Sequence, residues 1–428
     1  MELINARIEG FRNINCAQIS FGDITTLVSI NSYGKSNLIK ALEFAIDFIK
    51  ADKNMRNHMM SWVYGIPLNK YIDSKNFIID FIFASEHEGK RYFVNYGFEF
   101  VWIKDDDKGK EIVKEWLNIK EDEKSQKYNT LINRNSKCLY KSSATGRCDN
   151  ALEIQKNELT INKLLLNNSL FYYDLLENLN MINIYIDKNL DASKWYIQNP
   201  LIRKDIDEFD LNEITSIPRV IFFLKQRYPK QYELLENAFF QLFPNITGIY
   251  VSEIEVGEKS KILLSKVDIP YTVSNNVYSM LFTDTNINQP LDFRSLSDGT
   301  KKMFLMLTYI VLASLKGASL IAFEEPENSI HPNLLQSYLN VLSQLATDCK
   351  IIIASHSPYI IQYVKTEDIY IGKPNSNGIA DFKKFNNKKI NQLLKDAAGS
   401  SDSIGSYIFQ LLSGGEDDAE ILIDYLEK

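Results

Sequence analysis

The hydrophobic pattern changes abruptly between residues 25 and 50, and this change constrains the fold more than any other feature of the chain. Thr25–Ile30 is an apolar, β-branched run, which is typical of a buried strand. From Ser36 to Lys50 the apolar residues recur at spacings of three and four, which predicts an amphipathic helix. A strand, a tight turn and a helix therefore follow one another directly, as they do in α/β folds.

The turn between strand and helix, at residues 29–37, reads SINSYGKSN and ends like the phosphate-loop pattern G-x-x-x-x-G-K-[ST]. In such a loop, backbone N–H groups at the helix N-terminus surround a phosphate. Lys35 would neutralise the β- and γ-phosphates, and the Ser36 hydroxyl would ligate Mg²⁺. The alternative is an ordinary turn with an accidental GKS triplet. Ser29 weakens the match, because it stands where glycine adopts the required backbone more easily.

A second apolar strand is predicted at residues 320–327, LIAFEEPE, and it ends in Glu324 and Glu325. Ligands of open α/β sheets gather at the carboxyl ends of strands. Two adjacent carboxylates repel each other there and need a cation or a proton. We interpret Glu324 as a ligand of Mg²⁺ and Glu325 as the group that polarises an attacking water. The alternative is a solvated strand end before the turn at Pro326.

A third apolar strand is predicted in KIIIASHSP, residues 350–358, with His356 at its end. This histidine would hydrogen-bond a γ-phosphate or orient the water, or would merely cap the strand. A fourth motif, LSDGT at residues 296–300, precedes a long apolar helix over Lys302–Leu315. Ser297 or Asp298 is a suitable N-cap, and a helix N-terminus also binds phosphate, so that both interpretations stay open.

The four motifs follow the order GKS, LSDGT, EEP and SHSP, and this order is more specific than any one of them. In it the chain resembles the heads of ABC-type ATPases of the RecF/SMC-like and OLD-like class. Within that class it is most similar to stand-alone AAA-type ATPases of phage-defence systems of the AbiLi and RloA kind, and to the ATPase subunit of a PARIS-like system. The similarity rests on IEGFRNI, SNLIKALEF, EEPENSIHP and SHSP, and covers about residues 1–110 and 290–365.

The resemblance implies ATP and Mg²⁺ as ligands and gives each motif residue a role. The Walker A loop would consist of Asn31, Ser32, Tyr33, Gly34, Lys35, Ser36 and Asn37. Ser36 and Glu324 would hold the metal, Glu325 would be the catalytic base and His356 the switch histidine. Arg12 would contact the nucleotide. The signature would be Ser297, Asp298 and Gly299, which contacts the γ-phosphate held by a partner subunit, so that a homodimer or higher homo-oligomer joined by ATP is expected.

The motifs depart from the family pattern at three positions. Ser29 replaces the first Walker glycine, and Glu324 replaces an aspartate, which lengthens the metal ligand by one methylene. Asp298 replaces a signature glycine and puts a carboxylate near a phosphate. These departures predict slow, switch-like hydrolysis of ATP.

The expected fold is an α/β ABC ATPase head with a β-rich subdomain and an inserted, mainly helical domain. Residues 1–145 would form the N-terminal part of the head with the β-subdomain, and residues 146–288 the insertion. Residues 289–375 would return to the head with the signature, Walker B and H-loop, and residues 376–428 would be a C-terminal extension. By composition, residues 137–150 are predicted to be a loop.

Composition excludes several other classes of protein. The net charge is -7, with 48 basic and 55 acidic residues, so a uniformly basic nucleic-acid-binding surface is not expected. Four separated cysteines and four histidines do not predict a disulfide framework or a zinc site. The polar start MELINARIEG and the absence of a long apolar run predict a cytoplasmic protein without a membrane segment.

The favoured function is an ATPase that acts as sensor or scaffold in an anti-phage, abortive-infection system. OLD-like proteins carry a TOPRIM nuclease domain after the head, and the segment after His356 is short for one. The acidic cluster Glu416–Asp418 is interpreted instead as the start of the last helix. A separate nuclease- or TOPRIM-like effector protein is therefore the expected partner.

Two alternatives remain. The first is a RecF-like DNA-binding ATPase of repair or chromosome maintenance, in which backbone phosphates would contact Arg203, Lys204, Lys225, Arg227 and Lys230. The favoured interpretation of these residues is that they belong to solvated faces of helices. The second is a toxin with its own catalytic centre in the middle of the chain. The sequence there shows no cluster of metal ligands and no nucleophile motif, which disfavours that alternative.

Overall fold

The computed structural model describes residues 1–30, 33–61, 65–87, 89–103, 111–123, 126–187, 201–203, 209, 216–255, 271–273, 276–328, 330–346, 349–373 and 377–427. The chain divides into two compact units. The first unit consists of Met1–Ile186, Gly317–Glu325 and Asp348–Lys428, and the second of Asp187–Lys316 and Pro326–Thr347. No described helix is long and apolar enough to cross a membrane.

A large antiparallel sheet forms one half of the first unit. Among the described residues its strand order is β2-β1-β4-β5-β6-β7-β8-β9. The strands are β1 Glu2–Phe11, β2 Ile14–Ser20, β4 Phe77–His87, β5 Lys90–Val101, β6 Glu111–Glu121, β7 Asn129–Arg134, β8 Cys138–Lys141 and β9 Cys148–Ala151. Alternating aromatic and β-branched residues give the long strands one buried face, which packs with helix α1, Lys35–Lys50, in a large apolar core.

A second sheet of the first unit has the order β10-β16-β17-β3-β18-β19. These strands are β10 Ile184–Asp187, β16 Leu320–Glu324, β17 Lys350–Ser355, β3 Ile24–Val28, β18 Ile369–Lys373 and β19 Asp381–Lys384. β16, β17, β3 and β18 are mutually parallel. Their apolar runs are buried on both faces, as expected for parallel strands.

The helices of the first unit flank these sheets. They are α1 Lys35–Lys50, α2 Lys53–Met59, α3 Thr160–Leu164, α4 Tyr173–Met181, α9 Pro358–Tyr363, α10 Ile390–Gly399, α11 Ile404–Ser413 and α12 Glu416–Tyr425. The last three pack with β18 in a separate apolar cluster around Ile371, Ile408 and Leu422. α12 begins at the acidic cluster, and Asp418 accepts a hydrogen bond from the Gly415 N–H, which confirms the predicted helix start.

The second unit combines four helices with two small sheets among its described residues. The helices are α5 Ile217–Arg227, α6 Pro229–Leu242, α7 Asp298–Leu315 and α8 Pro332–Leu345. One sheet has the order β12-β14-β15, with β12 Ile246–Glu255, β14 Asn276–Asp284 and β15 Leu291–Asp292, and the other pairs β11 Leu201–Arg203 with β13 Tyr271–Val273. Its core includes the packed rings of Phe239, Phe282, Phe293 and Phe304.

Most elements predicted from hydrophobic periodicity are confirmed, including the strand–helix pair β3–α1 and the hairpin β4–β5. The loop predicted for residues 137–150 is wrong at both ends, because β8 and β9 lie there. Each of these strands has only four residues, and β9, at the sheet edge, is polar, so the segment resembles a turn in its composition. The strand-like run at residues 261–269 lies outside the described residues, and the four-part domain division stays a prediction.

Candidate nucleotide-binding site

The parallel strands of the second sheet bring the predicted site of the first unit together. Glu324 ends β16, Ser355 ends β17, and Ser29 follows β3. Because β16, β17 and β3 run in the same direction as neighbours, their carboxyl ends lie at one edge. This is where ligands of open α/β sheets bind.

Lys35 begins α1 and is enclosed by the loop that precedes it. It is 8% exposed, and its Nζ donates to the backbone oxygens of Ser29 at 2.9 Å and Ile30 at 3.3 Å. Ser36 follows it in the first turn of the helix. The ammonium group therefore lies inside the loop, where a phosphate would meet its charge. Asn31 and Ser32, also predicted for this loop, lie outside the described residues.

Ser29 fits the position of the missing glycine without backbone strain. It is 1% exposed, and it is absent from the residues with positive φ. The space for its side chain comes from Gly372 on the adjacent strand β18. A Cβ on Gly372 would lie 2.7 Å from both Ser29 Cβ and Tyr33 Cδ1, closer than packed carbon atoms approach. The close packing of this loop therefore requires glycine at position 372, on the neighbouring strand, rather than at position 29.

Tyr33 anchors the loop to the segment before β19. Its hydroxyl donates to the Ile379 carbonyl at 3.2 Å and accepts from the Asp381 N–H at 3.2 Å. Its ring meets that of Phe382 edge to face. Burial raises the pKa of Tyr33 to about 12, so the hydroxyl stays protonated and keeps both bonds near neutral pH.

Arg12 lies in the turn between β1 and β2 with φ of 50°, which is rare for a residue other than glycine. Its Nη1 donates to Asn37 Oδ1 at 3.5 Å and its Nη2 to the Gly65 carbonyl at 3.4 Å. Its Nε is buried and has no hydrogen-bond partner among the described residues. The guanidinium therefore borders the first turn of α1, as the predicted contact with nucleotide requires.

Glu325 and His356 form a pair at the ends of β16 and β17. His356 Nδ1 lies 3.0 Å from Glu325 Oε1, and both side chains are 39% exposed. Glu325 has φ of 49°, and its N–H donates to the Ala354 carbonyl at 2.8 Å. Such a backbone costs on the order of 1–3 kcal/mol and is concentrated at functional sites. The pair is suited to hold and orient a water molecule.

Glu324 and Ser36 offer oxygen atoms, which are the ligands that Mg²⁺ prefers. Glu324 pairs with Ala354 through the β16–β17 ladder and is half-buried. Its carboxylate makes no hydrogen bond or ion pair to the residues that the structure describes. These donors therefore fit the metal that the sequence predicts.

The signature residues belong to the second unit, at the start of α7. Ser297 is the N-cap, and its Oγ accepts from the Thr300 N–H at 3.1 Å. Asp298 is 86% exposed and pairs with Lys301 at 3.1 Å. Gly299 follows in the first turn. The N-cap interpretation is confirmed, and the phosphate interpretation stays a prediction.

Two residues of the site escaped the sequence reasoning. Gly372 gave no signal, because the strand that it faces lies more than 300 residues away in the sequence. Asn13 follows Arg12 in the motif IEGFRNI and bonds the Tyr33 carbonyl at 3.1 Å. The motif itself could have pointed to Asn13.

The chain is similar to known proteins in sequence and in fold. Residues 24–362 match the family model described as "AAA domain, putative AbiEii toxin, Type IV TA system". A search of curated proteins gives no match. Among solved structures, an SMC head bound to the C-winged helix domain of ScpA is similar with a TM-score of 0.50 and 13% identity, over 92% of this chain and 100% of that chain. The SMC head domain from Thermotoga maritima matches with a TM-score of 0.44 and 12% identity, over 90% of this chain and all of the other.

The SMC head with a TM-score of 0.50 has the same general fold as this chain. The mixed α/β architecture is therefore that of an ABC ATPase head, as the sequence predicts.

Proposed function

The chain belongs to the AAA-domain family whose model spans most of its length, and from this premise we propose that it is an ATP-driven switch controlling a separate effector protein in anti-phage defence. The family consists of ATPases, which bind nucleotide and use Mg²⁺. The observation that carries the proposal is the shared edge of one sheet. Lys35 begins the helix that follows β3, and the paired Glu325 and His356 follow the neighbouring strands β16 and β17.

In the proposed mechanism the N-terminus of α1 and Lys35 bind the β- and γ-phosphates of ATP. Ser36 and Glu324 would hold Mg²⁺, which neutralises phosphate charge when bound. Glu325 accepts a hydrogen bond from the attacking water and draws its proton, and His356 keeps the carboxylate oriented at 3.0 Å. The three departures at Ser29, Glu324 and Asp298 support slow turnover.

Turnover of ATP is the first test. Purified protein is incubated with Mg-ATP, and phosphate release is measured for wild type, Lys35→Ala and Glu325→Gln. The proposal requires slow release by wild type and its loss in both variants. Robust release that is unchanged in Glu325→Gln would rule out this active site.

We propose further that ATP joins two copies head to tail. The signature of one copy would contact the γ-phosphate held by the other, because α7 presents an exposed, capped N-terminus at Ser297–Gly299. The mass in solution of Glu325→Gln, measured by light scattering, should double with Mg-ATP and stay unchanged with Mg-ADP. Ser297→Arg, placed at the helix start, should remain monomeric in both.

A defence role is supported by the family description, which refers to a toxin of a type IV toxin–antitoxin system. Such systems arrest the growth of their own cell, as abortive infection does. The net charge of -7 favours a protein partner over nucleic acid. Affinity capture from cells that express the neighbouring genes, with and without ATP, tests this role. A nuclease- or TOPRIM-like protein that is released or retained according to nucleotide is the expected result.

The second candidate function is a DNA-binding ATPase in the manner of RecF. It is favoured by the fold shared with an SMC head. Two of the predicted phosphate ligands already contact aromatic rings, Lys225 at 4.8 Å from Tyr232 and Arg227 at 4.7 Å from Phe223. The side chain of Arg203 and all of Lys204 lie outside the description. Duplex binding that weakens steeply with salt would favour this function.

A further inference from the structure

The turn between β1 and β2 holds a residue that bonds to three separate segments at once. The amide nitrogen of Asn13 donates to the Tyr33 carbonyl at 3.1 Å and to the Gly378 carbonyl at 3.1 Å. Its amide oxygen accepts from Asn37 Nδ2 at 2.8 Å. Its backbone carbonyl accepts from the Ala380 N–H at 2.9 Å. One residue thus ties the loop before α1, the first turn of α1 and the segment before β19.

Only a carboxamide side chain provides this combination of bonds. It has two N–H donors and a carbonyl acceptor on one planar group. An aspartate would keep the bond from Asn37 but would face the carbonyl oxygens of Tyr33 and Gly378 with a negative charge. An alanine would remove all three side-chain bonds. Asparagine at position 13 therefore has the hydrogen-bonding groups that hold these segments together, whereas aspartate and alanine lack them.

Gly34 shows how closely the loop is packed between these segments. A Cβ there would lie 2.7 Å from Ala380 Cβ and 3.1 Å from Asn13 Oδ1, and its φ is 129°. Gly34 therefore has no space to move toward Ala380 or toward Asn13. Tyr33 adds its two hydroxyl bonds to Ile379 and Asp381 from the same direction. The positions of Tyr33 and Gly34 in the loop are therefore fixed jointly by Asn13 and by residues 378–381.

We propose that Asn13 is a positioning residue that presets the phosphate-binding loop for nucleotide and transmits occupancy of the loop to the segment at residues 378–381. The inference rests on the proposed function, since it takes ATP as the ligand of the loop. Asn13 would act through its hydrogen bonds to Tyr33, Asn37 and Gly378. A preset loop binds more tightly because less ordering is required on binding.

The transmitted signal has a defined destination. β19 follows the segment directly, and its end pairs with the end of α12, where Asn386 N–H donates to the Tyr425 carbonyl at 2.8 Å and Glu427 N–H to the Lys384 carbonyl at 2.9 Å. A displacement of the loop therefore reaches the last three helices through one short strand. The effector of the proposed function would sense nucleotide there.

The test compares variants of the full chain by calorimetric titration with Mg-ATP. Asn13→Ala loses three bonds and should weaken ATP binding about tenfold or more. Asn13→Asp should weaken it further despite its similar size. KM for ATP should rise in both more than kcat falls, because the catalytic pair Glu325–His356 is untouched. Asn69→Ala is the matched control. It removes a bond to the carbonyl of Asn377, the residue before the segment, and a bond from the Tyr71 N–H, but none to the loop.

A second measurement follows the backbone amides of Ala380 and Asp381 by hydrogen exchange. In wild type, Mg-ATP should change their exchange rates, since one amide bonds Asn13 and the other Tyr33. In Asn13→Ala this response to ATP should be lost. Tyr33→Phe, which keeps the ring packing, replaces Asn13→Ala if the latter does not fold, and should also lose the response at Asp381.

The outcomes distinguish the proposed function, which requires ATP binding, from the positioning role of Asn13. Wild type that does not bind Mg-ATP would overturn the proposed function, and the positioning role with it. Wild type that binds ATP, alongside Asn13→Ala and Asn13→Asp that bind equally well, would overturn the positioning role alone. Equal losses in Asn13→Ala and Asn69→Ala would also overturn it, because the loop would then have no special part. A loss confined to the Asn13 variants, with the altered exchange, supports it.

Discussion

Two strand ends of the same parallel sheet solve a similar problem in opposite ways. After β3 comes Ser29, at the position where the phosphate-loop pattern has glycine. After β16 comes Glu325, whose φ of 49° is a conformation that glycine adopts more easily. Ser29 keeps an ordinary backbone because Gly372 on the next strand leaves room for it. Glu325 instead keeps a left-handed backbone with φ of 49°.

The difference shows which side chain the site needs. In the proposed site, the loop after β3 binds phosphate through its backbone N–H groups. The side chain at position 29 can therefore be any small residue for which the neighbouring strand leaves space. At the end of β16 the carboxylate itself lies at the proposed reaction, so the strain is retained. The strained Glu325 and the accommodated Ser29 thus belong to the proposed catalytic half and the proposed binding half of the candidate site.

The largest expected effect is on ATP turnover, and it comes from a substitution of Glu325, the residue with the strained backbone. Glu325→Gln keeps the size of the side chain and removes the charge that accepts a proton from water. ATP turnover should fall by about 10²–10⁴-fold, whereas Mg-ATP affinity should stay within about threefold of wild type. Phosphate release and calorimetric titration of the same samples measure the two quantities. An equal loss of both would contradict the assignment of Glu325 to the catalytic half.

The next effect comes from the binding half. Lys35→Met keeps most of the buried methylene chain but removes the ammonium group that bonds the Ser29 and Ile30 carbonyls. Mg-ATP affinity should fall by about tenfold or more, because a charged hydrogen bond is lost and buried oxygens lose a donor. Titration with Mg-ATP measures the loss. Lys40→Met, further along α1, is the control and should bind as wild type does.

A smaller effect separates the two solutions directly. Gly372→Ala places a Cβ 2.7 Å from Ser29 Cβ and should lower the free energy of unfolding by about 1–3 kcal/mol through overpacking. Ser29→Gly should restore part of that loss in the double variant. Urea unfolding of wild type, both single variants and the double variant measures the coupling energy. Strictly additive changes would mean that Gly372 does not make room for Ser29.

The smallest effect tests strain at the other end. Glu325→Gly relieves the left-handed backbone and should raise the free energy of unfolding, or leave it within about 1 kcal/mol of wild type, while abolishing turnover. Glu324→Gly is the control, since Glu324 lies in the strand with ordinary backbone and should lose stability. Chemical unfolding of both variants distinguishes them. A clear loss of stability in Glu325→Gly would show that its backbone is not strained.

The sequence predicted those parts of the site that depend on local patterns. The strand ends at Ser29, Glu324 and His356 each follow an apolar run, and an apolar run is visible in a single segment. Gly372 and the β8–β9 edge could not be predicted, because pairing between strands depends on residues far apart in the chain. The positive φ of Glu325 could not be predicted either, because a glutamate in the sequence does not indicate a left-handed backbone. The contact between Asn13 and Tyr33 could not be predicted, because it joins a turn of the first sheet to a loop that follows a strand of the second.

The strand order of the parallel sheet also has a consequence for protein synthesis. Both neighbours of β3, the strands β17 and β18, are made more than 300 residues after it. Until then the backbone N–H and C=O groups along the two edges of β3 have no native partners, and closing so long a loop is slow. The nascent chain is therefore exposed to misassociation while these residues are being translated. The strand edge that carries the proposed site forms only after β17 and β18 have been made.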